Sequence, residues 1–198
     1  MTHYLLTDEY EEAVSALEMV TESLEKARVD PYRWKWALIA LHSAVQGFMV
    51  LALRGSNNLA ILKKNNAIEW IEALRNNRLL TDERLDTYLN LYSKVKKATF
   101  MQKYIHSIAF VPSGSQDHSI RMLNSLRNEF IHFVPKGWRL EVSELPALVI
   151  DCLNFIIFLG WQCGNVLWYE PSMEFRAKAA VASAQTIATE LSMLYHDC

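Results

Sequence analysis

The sequence predicts an all-α protein, and two patterns in it favour an up-and-down bundle of about six helices. Apolar residues recur three and four positions apart through most of the chain, which is the spacing of one helix face. No two segments show the alternating pattern of paired strands. The chain has 198 residues, of which 51% are hydrophobic, and a chain of this length can form one core. We therefore expect a single helical domain over residues 1–198.

The first two helices are predicted from their capping residues. Thr7 stands before two acidic residues, which indicates a helix with Thr7 as its N-cap. Asp30 and Pro31 restart the chain, with Asp30 as the cap and Pro31 in the first helical position. The long apolar helix that follows is expected to end near Gly55, because glycine favours the backbone conformation that closes a helix.

Three helices are predicted in the middle of the chain. A short one spans about residues 66–75, and a longer one begins at Thr81 and runs toward Ser107. The third covers about residues 117–133. It is expected to stop there because Pro135 disfavours helical backbone in the residue before it.

Two more helices are predicted in the last third of the chain. They follow residues 139–142, which we expect to be briefly extended. Ser143 opens a long apolar helix, and Pro171 ends it. The last helix is predicted to run to about Tyr195.

The charge and the cysteines indicate a cytoplasmic protein that needs no metal and no cofactor. The net charge of −2 creates no global positive field, so an RNA contact would need a local patch. The N-terminus lacks the basic and apolar run of a signal peptide. Cys152 and Cys163 are predicted on one helix, about 16 Å apart and beyond disulfide reach. No cysteine or histidine pair has the spacing of a zinc site.

Two apolar stretches, residues 36–53 and 145–168, are long enough to resemble membrane spans. The first contains His42 and the second contains Asp151. A charge at mid-bilayer costs a few kcal/mol or more. We therefore expect two buried helices, or a subunit interface, and no membrane partner.

The segment from Ser125 to His132 holds the residues with the clearest chemical use. Arg127 is followed at once by the polar residue Asn128 and, five places after the arginine, by His132. This pattern, close to the end of a predicted helix, resembles the R-x4-6-H motif of the HEPN superfamily, in which a polar residue often follows the arginine. A mostly helical chain of about this length is also similar to members of that superfamily.

The resemblance implies a metal-independent endoribonuclease that acts on single-stranded RNA. His132 would activate the ribose 2′-hydroxyl or protonate the leaving 5′-oxygen, and Arg127 would stabilise charge on the phosphoryl oxygens. Asn128 would hold a phosphate or orient the histidine. The products would be a 2′,3′-cyclic phosphate and a 5′-hydroxyl.

The resemblance also implies partners and a biological role. Members of the superfamily commonly form dimers that face two motifs across one cleft, so a homodimer is expected. The implied role is that of a toxin or an anti-phage defence component, with a cognate antitoxin as an expected partner. From the sequence itself, Arg121, Lys136 and Arg139 flank the motif and are expected to guide a phosphate backbone.

Helical geometry places Arg127 and His132 on different sides of their helix, about 140° apart. Arg127 falls at the edge of an apolar stripe, and His132 falls on the other side. An arginine that leans into an apolar surface needs a partner, because an unpaired buried charge is costly. The sequence leaves three partners open: a carboxylate such as Asp151, a second subunit, or a phosphate.

Two side chains and the function itself stay open at this point. His42 is either a core histidine or a residue that supports the motif helix, and Trp138 either packs or stacks a base. The alternatives to a nuclease are a non-catalytic module that binds RNA or a protein, and a helical interaction protein without a nucleic-acid role. The last of these predicts that Arg127 is tied to an internal carboxylate, whereas the nuclease needs Arg127 and His132 exposed in a shared cleft.

Overall fold

The structure, a computed structural model, describes residues 2–132, 135 and 137–196 and is all-helical over them. Its eight α-helices and one π-helical turn are α1 (Glu9–Ala27), α2 (Arg33–Arg54), α3 (Lys64–Arg75), α4 (Tyr88–Val95), α5 (Ala98–Met101), α6 (Gln116–Ile131), α7 (Leu145–Ile157), the π turn (Phe158–Gln162) and α8 (Pro171–His196). The all-α prediction is confirmed. The expected number of about six helices is too low for the described residues.

Helix α1 begins one residue later than its predicted cap. The side chain of Asp8, not that of Thr7, accepts the backbone N–H groups of Tyr10 and Glu11 at 2.9 and 2.8 Å. The hydroxyl of Thr7 donates instead to the carboxylate of Glu12. An ionised carboxylate is the stronger acceptor for the free N–H groups of a helix start, which explains why the aspartate takes the cap.

Helix α2 begins at Arg33, two residues after the predicted start. The side chain of Asp30 accepts the N–H of Tyr32, so these residues form a turn before the helix. The predicted end is confirmed, since α2 stops at Arg54 and Gly55 adopts a positive φ of 57°. Glycine is favoured there because it has no Cβ to oppose a left-handed backbone.

The single helix predicted from Thr81 toward Ser107 is not present. Its first part is irregular, and its second part is divided into the short helices α4 and α5. Residues 79–84 are irregular, and the side chain of Thr87 caps the short helix α4. The backbone of this loop finds partners elsewhere in the chain: the side chain of Asn66 accepts the N–H of Arg84, and Lys63 donates its N–H to the carbonyl of the same arginine. Such long-range bonds leave no helical pattern in the local sequence.

Helix α2 lies at the centre of the bundle and packs against α1, α4, α6 and α7. Helices α1 and α2 approach each other closely at Gly47, where a Cβ atom would lie only 2.8 Å from the Cβ of Ala13. Helix α8 packs against α1 and α7, and α6 packs against α2 and α7. One buried apolar cluster therefore joins α1 near one end of the chain to α8 near the other.

The two apolar helical stretches form much of this cluster. Arg33–Arg54 and Leu145–Gln162 are each long and apolar enough to cross a membrane by length and composition, and 67% and 56% of their most apolar windows are buried inside the fold. Core helices of water-soluble proteins have the same properties. Cys152 and Cys163 are free, buried thiols within the second stretch and just after it.

Candidate functional site

Helix α6 carries the motif and is held against α2 and α7 by its apolar face. Ile120, Leu123 and Leu126 are buried there, and Arg127 lies half-buried at the edge of this face, as predicted. His132 is the exposed C-cap residue, and its backbone N–H donates to the carbonyl of Asn128 at 2.9 Å.

Within the described residues, Arg127 is the half-buried arginine that has no acidic partner. The other arginines of intermediate exposure, Arg28, Arg54 and Arg176, all form ion pairs with glutamates. Arg127 donates from Nη1 to the neutral Oδ1 of Asn128 at 3.1 Å, and no carboxylate among the described residues lies within 4 Å of it. Its positive charge is therefore left uncompensated by the described part of the chain.

Asp151, which the sequence left open as a partner of Arg127, is used elsewhere. Its Oδ2 accepts hydrogen bonds from Ser115 at 2.7 Å and from Ser119 at 2.6 Å. Ser119 lies eight residues before Arg127 on α6, a distance of about 12 Å along the helix axis. The aspartate thus binds the start of α6, too far from the motif at its end.

His42 of α2 lies beside the motif helix. Its ring is 3% exposed and stacks on Tyr88 of α4 with 4.0 Å between ring centroids. Its Nε2 contacts Oδ1 of Asn124 at 3.3 Å, one turn before Arg127. Because an amide oxygen only accepts, the histidine must donate from Nε2. The structure therefore shows a buried histidine that also supports α6.

The electrostatic state of His42 follows from this position. The pKa of His42 is lowered to about 4, chiefly by burial and also by the positive charge of Arg127, while the hydrogen bond to Asn124 opposes the shift. The ring is therefore neutral near pH 7. Arg127 accordingly faces a neutral imidazole on the α2 side and a neutral amide on its own helix, and neither neutralises its charge.

Arg127 and His132 are not joined within one chain. Arg127 has the hydrogen bond to Asn128 described above, and His132 has none with its side chain among the described residues. Helical spacing places His132 on the same side of α6 as Arg121 and Asn128 instead. Asn128 contacts both residues: its side-chain oxygen accepts from Arg127, and its backbone carbonyl accepts from the backbone N–H of His132.

The three predicted phosphate-guiding residues differ in their surroundings. Arg121 is paired with Asp117 at 2.8 Å, and Lys96 binds the same carboxylate at 2.7 Å, so these charges are partly compensated. Arg139 is exposed and has no ion pair within the described part of the chain. Lys136 lies outside the described residues.

A cleft of about 570 Å³ opens where the start of α2 meets the end of α6. We call it the aromatic cleft, and it is lined by Pro31, Tyr32, Trp34, Lys35, Trp36, Glu129, Phe130, Trp138, Leu140 and Val142. Trp138 packs against Phe130 with 5.0 Å between ring centroids, yet it stays 43% exposed. Packing therefore covers part of this tryptophan and leaves the rest accessible to solvent.

The geometry provides no metal site within the described residues, since no three histidine, cysteine, aspartate or glutamate side chains form a group that could hold an ion. No protein-family model, curated protein or solved structure matches this chain. Inferences about function accordingly rest on the arrangement of the residues themselves.

Proposed function

We propose that this chain is a metal-independent endoribonuclease of the HEPN type, with Arg127 as its phosphate ligand. The observation that supports this most is the uncompensated charge of Arg127, the one half-buried arginine that lacks a carboxylate among the described residues. A guanidinium carries five N–H donors in a planar fork that matches phosphate oxygens. Here one described hydrogen bond, to Asn128, uses a single nitrogen. The remaining donors are those that a phosphodiester would engage.

The proposed reaction uses three residues. The exposed imidazole of His132 takes the proton of a ribose 2′-hydroxyl, whose oxygen attacks the adjacent phosphorus. The bond from phosphorus to the 5′-oxygen breaks, and that oxygen takes a proton from a protonated imidazole, that of His132 in a second copy of the chain, which leaves a 2′,3′-cyclic phosphate and a 5′-hydroxyl. Arg127 stabilises the charge on the phosphoryl oxygens. Asn128 holds the guanidinium through its side-chain oxygen.

A second copy of the chain is part of the proposal. Arg127 and His132 lie about 140° apart on one helix, so a single motif does not aim both groups at one phosphate. Two motifs facing each other across a homodimer would supply an arginine from one copy and a histidine from the other. A strictly monomeric protein by light scattering at micromolar concentration would contradict this step.

The biological setting that suits such an activity is a cytoplasmic toxin or defence component, held inactive by a cognate antitoxin. Unspecific cleavage of single-stranded RNA is harmful to the cell that makes it, so an inhibitor is part of this proposal. Co-expression that restores growth, with a second protein bound to the chain, would support it.

A second candidate is a HEPN-like module that binds RNA or a protein without cleaving. The lack of a hydrogen bond between Arg127 and His132 favours this candidate, because binding requires the arginine alone. The helical interaction protein without an RNA role predicted an internal carboxylate beside Arg127. None of the described carboxylates occupies that position.

The decisive experiment measures cleavage of a single-stranded RNA with and without EDTA. We expect cleavage to persist in EDTA, and His132→Ala to lower the rate about 100-fold or more. His118→Ala is the matched control, because His118 is an exposed histidine near the start of the same helix, and its rate should not change. An unchanged rate in His132→Ala would refute the nuclease.

A second pair of variants tests the arginine. Arg127→Met should lower the cleavage rate about 100-fold through the loss of charge stabilisation. Arg75→Met is the control, since Arg75 is an exposed arginine with no ion pair in the described residues. RNA binding that depends on Arg127 without any cleavage would favour the binding module. No RNA binding at all would reject the nuclease and the RNA-binding form of the second candidate.

A further inference from the structure

The aromatic cleft keeps large apolar surface in contact with water. Trp34 forms its buried floor, with Nε1 donating to the hydroxyl of Tyr195 at 2.9 Å. Trp36 and Trp138 stand at its edges and are 51% and 43% exposed. These half-exposed tryptophans border one cleft and offer apolar aromatic surface to a ligand.

The cleft and the Arg127 site are consecutive along the interface of α2 and α6. Trp34 near the start of α2 and Phe130 near the end of α6 line the cleft together, whereas His42 contacts Asn124 two turns further along α2. The two helices therefore run antiparallel. Phe130 follows Arg127 by three residues, a spacing that places their Cβ atoms about 5–6 Å apart on the helix surface. About one helical turn thus separates Arg127 from the cleft-lining Phe130.

Positive charge accompanies the aromatic rings. Lys35 holds its ammonium 5.1 Å from the centroid of Trp36, and Arg139 directly follows Trp138. Neither cation forms an ion pair with a described residue. Proteins that bind single-stranded nucleic acids combine aromatic rings, on which the bases stack, with cations that contact the phosphate backbone.

We propose that the aromatic cleft is the binding site for an unstacked base of single-stranded RNA, one nucleotide of which places its phosphate at Arg127. This inference rests on the proposed function and adds to it the place where a base of the substrate binds. The base stacks on Trp138, and Lys35 and Arg139 meet the neighbouring phosphates. A double-stranded RNA is excluded from the cleft, since its bases are already stacked on one another.

The experiment compares two probes of equal length, a single-stranded RNA oligonucleotide and an abasic ribose-phosphate oligomer. Both offer phosphates to Arg127, but only the first offers bases to the cleft. His132→Ala serves as the background, so that cleavage does not disturb the binding measurement. Trp138→Ala should weaken binding of the RNA about tenfold and leave binding of the abasic oligomer unchanged. Trp138→Phe keeps an aromatic face and should retain most of the affinity.

Two further variants separate the possible results. Trp36→Ala should show the same selective loss, and it gives an independent test on a second tryptophan of the cleft should Trp138→Ala fail to fold. Arg127→Met should weaken binding of both probes alike. An RNA affinity that survives both tryptophan variants would overturn the proposed base site and leave the phosphate role of Arg127 standing.

The remaining outcomes are also distinct. A loss that is equal for the two probes in Trp138→Ala would overturn the base site, since it would indicate general damage. A change of oligomeric state with unchanged RNA affinity would overturn it in favour of a second copy of the chain in the cleft. No binding of either probe by the unmodified chain or by His132→Ala would overturn the proposed function together with this inference.

Discussion

Two helix interfaces of this protein each contain a half-buried arginine, and only one of these arginines is neutralised. Between α1 and α8, Arg176 donates to both carboxylate oxygens of Glu11 and of Glu18 at 2.8–2.9 Å. These contacts raise the pKa of Arg176 above its ordinary value. Between α2 and α6, Arg127 binds the neutral side chain of Asn128 and faces the neutral ring of His42.

The comparison separates a structural arginine from one that is available to a ligand. Residue type and burial are similar in the two interfaces, so neither property distinguishes them. The two arginines differ in their partners. Two carboxylates engage the guanidinium of Arg176 on all three nitrogens, whereas the one amide oxygen that Arg127 contacts leaves most of its described donors unused. Helix α1 is rich in glutamates and supplies such partners, but the face of α2 toward α6 supplies His42.

The largest expected effect concerns pH and the neutral partner of Arg127. The pKa of His42 is about 4 in the folded chain, against about 6.5 in the unfolded chain. Between these values the unfolded chain binds the additional proton, so stability falls as the pH drops from 6.5 toward 4. The expected loss attributable to His42 at pH 4, relative to pH 7, is about 3 kcal/mol.

Urea unfolding at pH 7 and pH 4, in the unmodified chain and in His42→Phe, measures this loss. Phenylalanine keeps the stack on Tyr88 and cannot take up a proton, so the variant should lose about 3 kcal/mol less than the unmodified chain. The charged group facing His42 is Arg127, and Asn124 and Tyr88 are its other neighbours. Equal losses in the two proteins would contradict a neutral, buried His42.

The second prediction exchanges the two arginines for methionine. Arg176→Met leaves two glutamates facing each other without their cation and should lower the free energy of unfolding by about 2 kcal/mol. Arg127→Met removes no ion pair with a described residue and should change the free energy of unfolding by about 0.5 kcal/mol or less. Urea unfolding at pH 7 compares the two, with Arg176→Lys as a control that keeps the charge but not the paired geometry. Equal losses of unfolding free energy in Arg176→Met and Arg127→Met would contradict the view that only Arg176 is neutralised by ion pairs.

The third prediction uses inorganic phosphate as a probe of the free guanidinium. A phosphate concentration ten times its Kd should stabilise the unmodified chain by about 1.4 kcal/mol. Arg127→Met should lose this stabilisation, whereas Arg176→Met should keep it, because its own site is filled by glutamates in the parent chain. Thermal unfolding with phosphate and with matched chloride gives the measurement. Phosphate stabilisation that persists in Arg127→Met would place the anion elsewhere.

The smallest expected effect concerns the ring beneath His42. The hydroxyl of Tyr88 is buried and has no hydrogen-bond partner among the described residues, so Tyr88→Phe should stabilise the fold by about 1 kcal/mol while keeping the stack. Tyr195→Phe is the matched control, because the hydroxyl of Tyr195 accepts from Trp34 and its loss should destabilise by about 1 kcal/mol. Destabilisation by Tyr88→Phe would indicate a partner for that hydroxyl.

Predictions from the sequence were reliable where the physical cause is local. Helical periodicity alone placed Arg127 at the edge of the buried face and His132 in solvent, because both follow from 3.6 residues per turn. The end of α2 at Gly55 follows from the conformational freedom of glycine. The start of α1 was missed by one residue, since two adjacent cap-forming side chains compete and only geometry selects Asp8.

Predictions failed where a distant segment supplies the hydrogen bonds. The residues after Thr81 have acidic side chains typical of a helix start, but their backbone bonds to Lys63 and to the side chain of Asn66. Asp151 was a reasonable partner for Arg127 by charge, yet two serines at the start of α6 bind it. In each case the outcome depends on which segments meet, and the local sequence does not encode this directly.

The sequence by itself determined that the chain is helical, which face of α6 is buried, and that an arginine lies at the margin of that face. Each of these results from spacing within one segment. Only the tertiary structure decided that no described carboxylate reaches Arg127, that His42 stands opposite it as a neutral ring, and that aromatic side chains from α2 and the end of α6 form a cleft one turn away. The physical reason is that charge compensation and cavity shape depend on contacts between segments far apart in the chain, and packing of the whole core sets those contacts.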